Sequence, residues 1–324
     1  MTDQEKNHTI LVTGAAGFIG FHLSRELLEK GNQVIGVDNL NPYYDVSLKK
    51  ARLDLLKPLQ DFVFYKEDIQ NLSGLKKIFQ KHSIGRICNL AAQAGVRYSL
   101  KDPFSYQKSN LEGFLNLLEL AREYGITNFV YASSSSVYGD SPKIPFSVDD
   151  RADTPLSLYG ATKKANELMA YAYSHLFGIP CTGLRYFTVY GPWGRPDMAL
   201  FLFADAILND RPINVYNYGR MKRDFTYVDD VVDGTIAALE RPYAYEVFNL
   251  GNSDPIELMD FIGIIEEELG RKAQKNMMAL QPGDVLETSA DIGKSKEMLG
   301  FSPKTPIRKG IKKFLSWYRE YYKV

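Results

Sequence analysis

The sequence predicts an α/β fold, a doubly wound parallel sheet that carries a smaller C-terminal domain. In the first 190 residues, short apolar stretches alternate repeatedly with helical patterns. These stretches are apolar throughout, which is typical of strands that helices cover on both faces. In addition, a glycine-rich turn joins the first strand to the first helix. A fold of this type binds its ligands at the carboxyl ends of its strands.

The glycine-rich turn follows the apolar strand 9–12 and opens a helix. Glycine lets the backbone approach a pyrophosphate closely, and the helix N-terminus offers free N–H groups to it. This is the Rossmann arrangement of a dinucleotide-binding site. The contacts expected from this turn are Gly14, Gly17, Phe18, Ile19 and Gly20.

The next strand, 33–37, ends at Asp38 and Asn39. An acidic residue at this place accepts hydrogen bonds from the adenosine ribose and repels a 2′-phosphate, so we expect NAD as the cofactor. Three downstream cations keep NADP open as an alternative, namely Lys49, Lys50 and Arg52. Strands predicted at 62–65 and 84–92 lead to the further expected cofactor contacts Asp68, Ile69, Leu90, Ala91 and Ala92.

The alternation continues to about residue 190 and then changes. Strands are predicted at 129–132 and 180–187, and long helices at about 103–123 and from 159 to 177. After Gly191 the chain turns proline-rich and aromatic, with predicted helices near 198–209, 228–240, 255–269 and 306–323. A strand at 247–250 is expected to return to the sheet. We therefore divide the chain into a cofactor domain, 1–190 plus 225–251, and a substrate domain, 191–224 plus 252–324.

The second long helix carries Tyr159 and Lys163, which lie on one helical face because they are four residues apart. A free phenol has a pKa of about 10, and a fixed cation nearby can lower it toward neutrality, which makes tyrosine a usable base. The serine run 133–136 follows the strand at 129–132, so its hydroxyls are expected near the same sheet edge. Together they indicate a site for oxidising an alcohol.

Composition excludes several other functions. The 39 basic and 39 acidic side chains balance, so nothing predicts nucleic-acid binding. The two cysteines, Cys88 and Cys181, lie in apolar strands and are expected to be buried thiols, and no metal site is predicted. No apolar run approaches the ~20 residues of a membrane span, and the N-terminus does not resemble a signal peptide. We expect a cytoplasmic protein.

The glycine turn, the serine run and the Tyr-x-x-x-Lys spacing together resemble the extended short-chain dehydrogenase/reductase family, in its nucleotide-sugar branch. The resemblance covers nearly the whole length. Within that branch, three stretches are similar to UDP-glucuronate 4-epimerases: 38–44, 90–97 and 185–199.

The resemblance implies a role for each residue of the site. Tyr159 is the base at the sugar 4-hydroxyl, Lys163 lowers its pKa and binds the nicotinamide ribose, and Ser134 polarises the C4 oxygen. The implied contacts to the UDP-sugar are Arg97, Ser134, Ser135, Ser136, Arg185, Thr188, Arg195, Val215, Tyr216 and Arg223.

Among these implied contacts, the hydroxyls of Ser135, Ser136 and Thr188 are expected to hold the sugar carboxylate. Arg185 is the next candidate. Gln281 departs from the arginine that many UDP-hexose epimerases have there, which puts one diphosphate contact in question. A homodimer is implied, with the helices 103–123 and 158–177 paired across a two-fold axis. Three aromatic residues of the second helix, Tyr171, Tyr173 and Phe177, also favour it.

Related reactions remain as alternatives. A UDP-glucuronate decarboxylase shares the 4-keto intermediate and stays open, as does a 4-epimerase for another UDP-hexose. A 4,6-dehydratase is disfavoured, because Ser135 and Ser136 stand where it needs an acid and a base. A non-catalytic dinucleotide-binding module is disfavoured, because both Tyr159 and Lys163 are present.

Overall fold

A computed structural model describes residues 8–281 and 283–324. Its large sheet has seven strands, all parallel, in the order 3-2-1-4-5-6-10. These strands are β1 (Thr9–Thr13), β2 (Gln33–Asp38), β3 (Phe62–Lys66), β4 (Arg86–Asn89), β5 (Asn128–Ser134), β6 (Cys181–Tyr186) and β10 (Tyr245–Leu250). The strand order reverses between β1 and β4, and ligands of such sheets bind at that point.

Helices cover both faces of the sheet, which confirms the predicted doubly wound fold. Alternate residues of β1 enter different cores: Ile10 and Val12 pack on one side, Leu11 on the other, and all three have no exposed surface. The helices are α1 (Phe18–Glu29), α2 (Val46–Leu56), α3 (Leu72–Lys81), α4 (Pro103–Tyr106), α5 (Gly113–Tyr124), α6 (Leu158–Phe177), α7 (Ala199–Leu208), α8 (Val228–Glu240), α9 (Leu258–Leu269), α10 (Gly293–Leu299) and α11 (Ile307–Tyr322).

The predicted long helix at 103–123 is interrupted. Between α4 and α5 the chain forms a π-helix, Gln107–Glu112. Asn110 lies in this segment, and its side chain accepts from the Gln93 N–H (2.8 Å) and donates to the Thr162 hydroxyl (3.0 Å). These long-range bonds favour the wider helix, and no periodic pattern in the sequence predicts them.

The remaining strands form two small sheets beside the large one. A three-stranded sheet contains β7 (Thr188–Tyr190), β9 (Lys222–Tyr227) and β11 (Pro255–Glu257), and a two-stranded sheet contains β8 (Ile213–Val215) and β12 (Lys275–Met277). Four of these five strands have only three residues, which is too few for a recognisable sequence pattern. They were therefore not predicted from the sequence. The strand predicted near 247 does return to the large sheet, as β10 beside β6.

Candidate active site

The glycine-rich turn packs tightly against the end of β4. Gly14 has a left-handed backbone (φ +72°), and a Cβ there would lie 2.9 Å from the Ala91 nitrogen. A Cβ on Gly20 would lie 2.1 Å from the Gly14 carbonyl oxygen. Helix α1 begins at Phe18 with neither a side-chain cap nor an acidic residue in its first turn. Its first N–H groups are therefore available to an anion, as a dinucleotide pyrophosphate requires.

The acidic residue expected at the ribose is buried at the end of β2. Asp38 accepts hydrogen bonds from the backbone N–H groups of Ala16 (3.2 Å) and Leu40 (2.8 Å). The Asn39 amide donates to Asp68 (2.7 Å), so these two expected contacts meet at the ends of adjacent strands. This geometry fits a ribose diol with no 2′-phosphate.

The remaining expected cofactor contacts, Ile69, Leu90, Ala91 and Ala92, are buried or partly buried within the protein. Ile69 is buried in the core and packs against Gly113. Leu90 and Ala91 are partly buried, and their N–H groups donate to the carbonyl and the hydroxyl of Thr13, both at 3.2 Å. Ala92 follows them and is also partly buried.

The cations that kept NADP open have other partners. Arg52 has no exposed surface, and Lys49 is buried with its ammonium donating to the Asn41 carbonyl (2.9 Å). Only Lys50 is exposed. Two of the three cations are thus held inside the protein, which the sequence could not show.

The expected catalytic residues converge between β5 and α6. Ser157 accepts from the Gly160 N–H (3.0 Å) and so begins α6 two residues before Tyr159. The Lys163 ammonium is buried and donates to the Ala132 carbonyl of β5 (2.8 Å). Ser134, the last residue of β5, lies close enough to the Tyr159 phenol to lower its pKa.

The pKa of Tyr159 differs from the sequence-based expectation. Burial raises it above the ordinary value for tyrosine, and the two influences that lower it are Ser134 and the charge of Arg195. The role first assigned to Lys163, lowering this pKa when the cofactor is bound, stays a prediction. Burial also lowers the pKa of Lys163 itself to about 8, because its ammonium is removed from water.

Successive hydroxyl side chains stand at the end of β5 and just after it. Ser134 Oγ accepts from the Ser136 N–H (3.1 Å) and lies 3.2 Å from Ser136 Oγ, and Ser135 beside them is partly buried. Thr188, partly buried in β7, lines a cavity of about 20 Å³ together with Phe18. Arg195 also lines this cavity, so the glycine turn, β7 and the following loop meet there.

Arg185, proposed as an alternative carboxylate ligand, has an internal partner. Its guanidinium forms two hydrogen bonds of 2.8 Å with the buried Glu167, which also accepts from Ser133. The Tyr138 ring lies 4.7 Å from the guanidinium carbon. Glu167 raises the pKa of Arg185 and keeps it charged despite its burial. The charge of Arg185 is thus already paired inside the protein, and its role as a contact to the sugar stays a prediction.

The charge of Arg195 acts on Tyr159, and Arg195 is oriented by two residues that were not among the expected contacts. Its Nε donates to Asp197 Oδ1 (3.0 Å), and Asp197 Oδ2 accepts from the Tyr43 hydroxyl (3.0 Å). Asp197 raises the pKa of Arg195, so the cation persists although burial opposes it. Both residues lie in stretches already singled out, 38–44 and 185–199, but nothing in either stretch indicates that they meet.

Three of the implied UDP-sugar contacts, Arg97, Tyr216 and Arg223, lie close to residues 284–286. Arg97 forms an ion pair with Asp284 (3.1 Å) and lies over the Tyr216 ring (4.7 Å). Arg223 donates to the carbonyls of Val285 (2.6 Å) and Leu286 (3.1 Å). Asp284 was not predicted as a site residue.

Two further residues of this region are buried, Val215 wholly and Gln281 in part. Val215 is fully buried, and its backbone carbonyl accepts from the Met278 N–H (2.9 Å). Gln281, which replaces the usual arginine, has a buried amide oxygen without a partner among the described residues.

Comparison with known proteins identifies the family. A model of the NAD dependent epimerase/dehydratase family matches residues 10–251. The chain belongs to this family. It is 52% identical to the protein CapI of Staphylococcus aureus, over 97% of this chain and 99% of that protein. It is 48% identical to a UDP-glucuronate 4-epimerase of Thermodesulfobacterium geofontis, over 96% of each chain.

A solved structure is also similar over the whole chain. The crystal structure of UDP-glucuronic acid 4-epimerase from Bacillus cereus, in complex with UDP-glucuronic acid and NAD, gives a TM-score of 0.92 at 38% identity. The match covers 97% of this chain and 100% of that chain. The resemblance inferred from the sequence is confirmed, and the family's dependence on NAD agrees with the setting of Asp38.

Three remaining expectations concern the chain as a whole. Cys88 and Cys181 are buried free thiols, as predicted. Among the described residues, no cluster of three His, Cys, Asp or Glu side chains could hold a metal ion. No helix in the same part of the chain combines the length and apolarity needed to cross a membrane.

Proposed function

We propose that the protein is an NAD-dependent 4-epimerase that interconverts UDP-glucuronate and UDP-galacturonate. The single observation that carries the proposal is the meeting of Tyr159 with Ser134 at the end of β5, in a site whose neighbouring positions are hydroxyls. The B. cereus epimerase, solved with UDP-glucuronic acid and NAD, supports this substrate and cofactor. In this proposal 1–190 plus 225–251 bind NAD, and 191–224 plus 252–324 bind the UDP-sugar.

Tyr159 takes the proton of the sugar 4-hydroxyl, and Ser134 donates to the same oxygen. Because burial raises the pKa of the phenol, the proton transfer depends on the groups that favour the phenolate, which are Ser134 and Arg195. NAD held at the glycine-rich turn would supply the hydride acceptor for the sugar. Lys163, whose ammonium donates to the Ala132 carbonyl, would hold the nicotinamide ribose.

Inversion requires the sugar to present both faces to one set of residues. The UDP moiety must therefore stay bound while the hexose turns. Arg97, Tyr216 and Arg223 form the group that we assign to the nucleotide, and Arg195 is assigned to the diphosphate. The side chains at the end of β5 itself, Ser134, Ser135 and Ser136, are short and leave the hexose room to turn.

The hydroxyls at the end of β5 also hold the sugar carboxylate. Oxidation at C4 places a ketone in the β position to that carboxylate, and CO₂ is lost when the breaking C–C bond aligns with the carbonyl π system. Ser135, Ser136 and Thr188 can each donate to the carboxylate and fix an orientation that prevents this alignment. A hydrogen bond to a charged acceptor contributes about 1.5–3 kcal/mol.

We also propose a homodimer built on α4, α5 and α6. Several large apolar side chains on these helices face solvent in the monomer, including Phe104 (73% exposed), Leu168 (60%) and Leu176 (67%). Two of the aromatic residues that first suggested the dimer, Tyr171 and Phe177, are exposed as well. The third, Tyr173, is partly buried and donates to Glu119, so it belongs to the monomer.

The proposed activity is tested by incubating the NAD-loaded protein with UDP-glucuronate and following the products by NMR. We expect UDP-galacturonate to appear, and the same mixture to form from UDP-galacturonate. A UDP-4-keto-pentose as the main product would make the protein a decarboxylase. Conversion of UDP-glucose with equal efficiency would show that the carboxylate is not recognised.

A further inference from the structure

Arg52 is a fully buried cation that no carboxylate neutralises. Its Nη1 donates to the Ala16 carbonyl (2.9 Å) and the Tyr44 hydroxyl (2.7 Å). Its Nη2 donates to the carbonyls of Trp193 (2.6 Å) and Gly194 (3.3 Å). Within 8–281 and 283–324, it takes part in no ion pair. Removing a charge from water without an opposite charge is costly, so the contacts that Arg52 makes need an explanation.

The two terminal nitrogens of the guanidinium bind two loops, one from the expected cofactor site and one from the expected substrate site. Ala16 lies inside the glycine-rich turn, and its N–H donates to Asp38, the residue expected at the adenosine ribose. Trp193 and Gly194 immediately precede Arg195, whose charge lowers the pKa of the catalytic tyrosine. One planar side chain therefore connects the turn that binds the cofactor with the loop that enters the substrate site.

The turn that Arg52 holds has an uncommon backbone. Trp193 is left-handed, with φ +60°, a conformation that a bulky side chain rarely adopts unless its surroundings enforce it. The preceding carbonyl, of Pro192, lies 2.9 Å from Nε2 of the buried His22. Three consecutive carbonyls are thus bound by side chains of the cofactor domain, and the Trp193 ring packs against Phe21 (5.6 Å).

We infer that Arg52 is a positioning residue that couples the cofactor site to the substrate site. It binds Ala16 on one side and Trp193 and Gly194 on the other. When the glycine turn has the conformation that binds NAD, Arg52 thereby fixes the direction in which Arg195 enters the site. The part of the inference that concerns the UDP-sugar rests on the proposed function, and the part that concerns the glycine turn does not.

Substitution of Arg52 by lysine tests this inference. Lysine keeps the charge but has no planar fork, so it cannot bind both loops at once. We expect Arg52→Lys to weaken NAD binding, and also UDP binding to the NAD-saturated protein, by about tenfold each, within the usual range for coupled sites. Calorimetric titration measures both affinities. Lys50→Met, which removes an exposed cation two residues away, is the control and should bind both ligands normally.

Two further measurements separate positioning from a general loss of structure. Arg52→Lys should move the rise of kcat/KM to higher pH, because a misplaced Arg195 no longer favours the Tyr159 phenolate, and Lys50→Met should not. A fall in thermal midpoint with unchanged affinities and pH profile would overturn the inference. Tyr44→Phe removes one hydrogen bond of Arg52, so it should also weaken NAD binding, to a smaller extent. If Arg52→Lys does not fold, Tyr44→Phe decides between the two outcomes.

The NAD and UDP titrations use no hexose. If the wild-type protein binds both ligands but does not epimerise UDP-glucuronate, the proposed function fails and the result for Arg52 still stands. If Arg52→Lys binds NAD and UDP as the wild type does, the inference on Arg52 fails and the proposed function is unaffected.

Discussion

The Lys163 ammonium donates a 2.8 Å hydrogen bond to the carbonyl oxygen of Ala132, two residues before Ser134 in the same strand. The strand that carries the serine therefore also fixes the lysine, and α6 fixes the tyrosine relative to both. The spacing between phenol and ammonium is set by a helix and a buried strand, two of the most rigid parts of the fold. Because these positions are rigid, substitutions at the site should have clear effects on the reaction.

Removal of the Tyr159 hydroxyl should nearly abolish turnover. Because Tyr159 transfers the proton, Tyr159→Phe should lower kcat by about 10²–10⁴, the usual contribution of a general acid–base, while NAD stays bound. Turnover is measured by NMR with UDP-glucuronate, and bound NAD by absorbance after denaturation. Tyr173→Phe, on the same helix with its hydroxyl on Glu119, is the matched control and should keep its turnover. Wild-type turnover in Tyr159→Phe would remove this tyrosine from the mechanism.

Loss of one carboxylate-holding hydroxyl should change the product. Thr188→Val keeps the shape of the side chain and removes its donor, so part of the 4-keto intermediate should lose CO₂ and appear as UDP-4-keto-pentose. Ser135→Ala and Ser136→Ala should act in the same direction, and NMR of the product mixture measures the fraction in each case.

Ser133→Ala is the control for these three variants. Its hydroxyl donates to Glu167 and not into the site, so the substitution should affect stability without changing the product. If none of the three site variants yields the pentose or loses affinity for UDP-glucuronate, the carboxylate is held by other groups.

The exposed apolar residues of α6 should mediate dimerisation. Light scattering at micromolar concentration should give twice the mass of the 36.7 kDa chain. Leu168→Glu places a charge in the proposed interface and should shift the protein to the monomer. Leu202→Glu, which changes another exposed leucine (49%) on α7, should leave the dimer intact. A monomeric mass for the wild-type protein would contradict the proposed interface.

Acid should destabilise the fold through His22. Burial lowers the pKa of His22 to about 3 from its ordinary 6.5, so the folded chain keeps this histidine neutral. Between pH 6.5 and 3 the unfolded chain binds a proton that the folded chain does not. The free energy of unfolding therefore includes a contribution that is complete above pH 6.5 and is lost progressively as the pH falls toward 3.

Substitution isolates this contribution from that of the carboxylates. His22→Gln removes the titrating group, so its free energy of unfolding should fall less steeply over this range than that of the wild type, as measured by urea denaturation. His175→Gln, at an exposed position, is the control. Equal slopes for the wild type and His22→Gln would show that His22 does not contribute to acid unfolding.

The sequence by itself determined the features that depend on neighbouring residues. A strand, a glycine turn and a helix follow one another within 9–29, and β2 ends directly at Asp38. Tyr159 and Lys163 share a helical face because of a four-residue spacing. Apolar runs bury both faces of a sheet wherever they lie in the chain, so the fold class could be inferred without knowing any tertiary contact.

Only the tertiary structure decided which charges are free to act. Arg185 and Glu167 are 18 residues apart, Tyr43 and Asp197 are 154 apart, and Arg97 and Asp284 are 187 apart. No local pattern relates such residues, because their distance depends on how separate elements pack. Arg185 and Arg52 both look like possible ligands in the sequence, yet one is neutralised by a buried carboxylate and the other holds two loops together. The packing of distant elements determines the electrostatics of a buried cation, and with it the role that the residue has in the site.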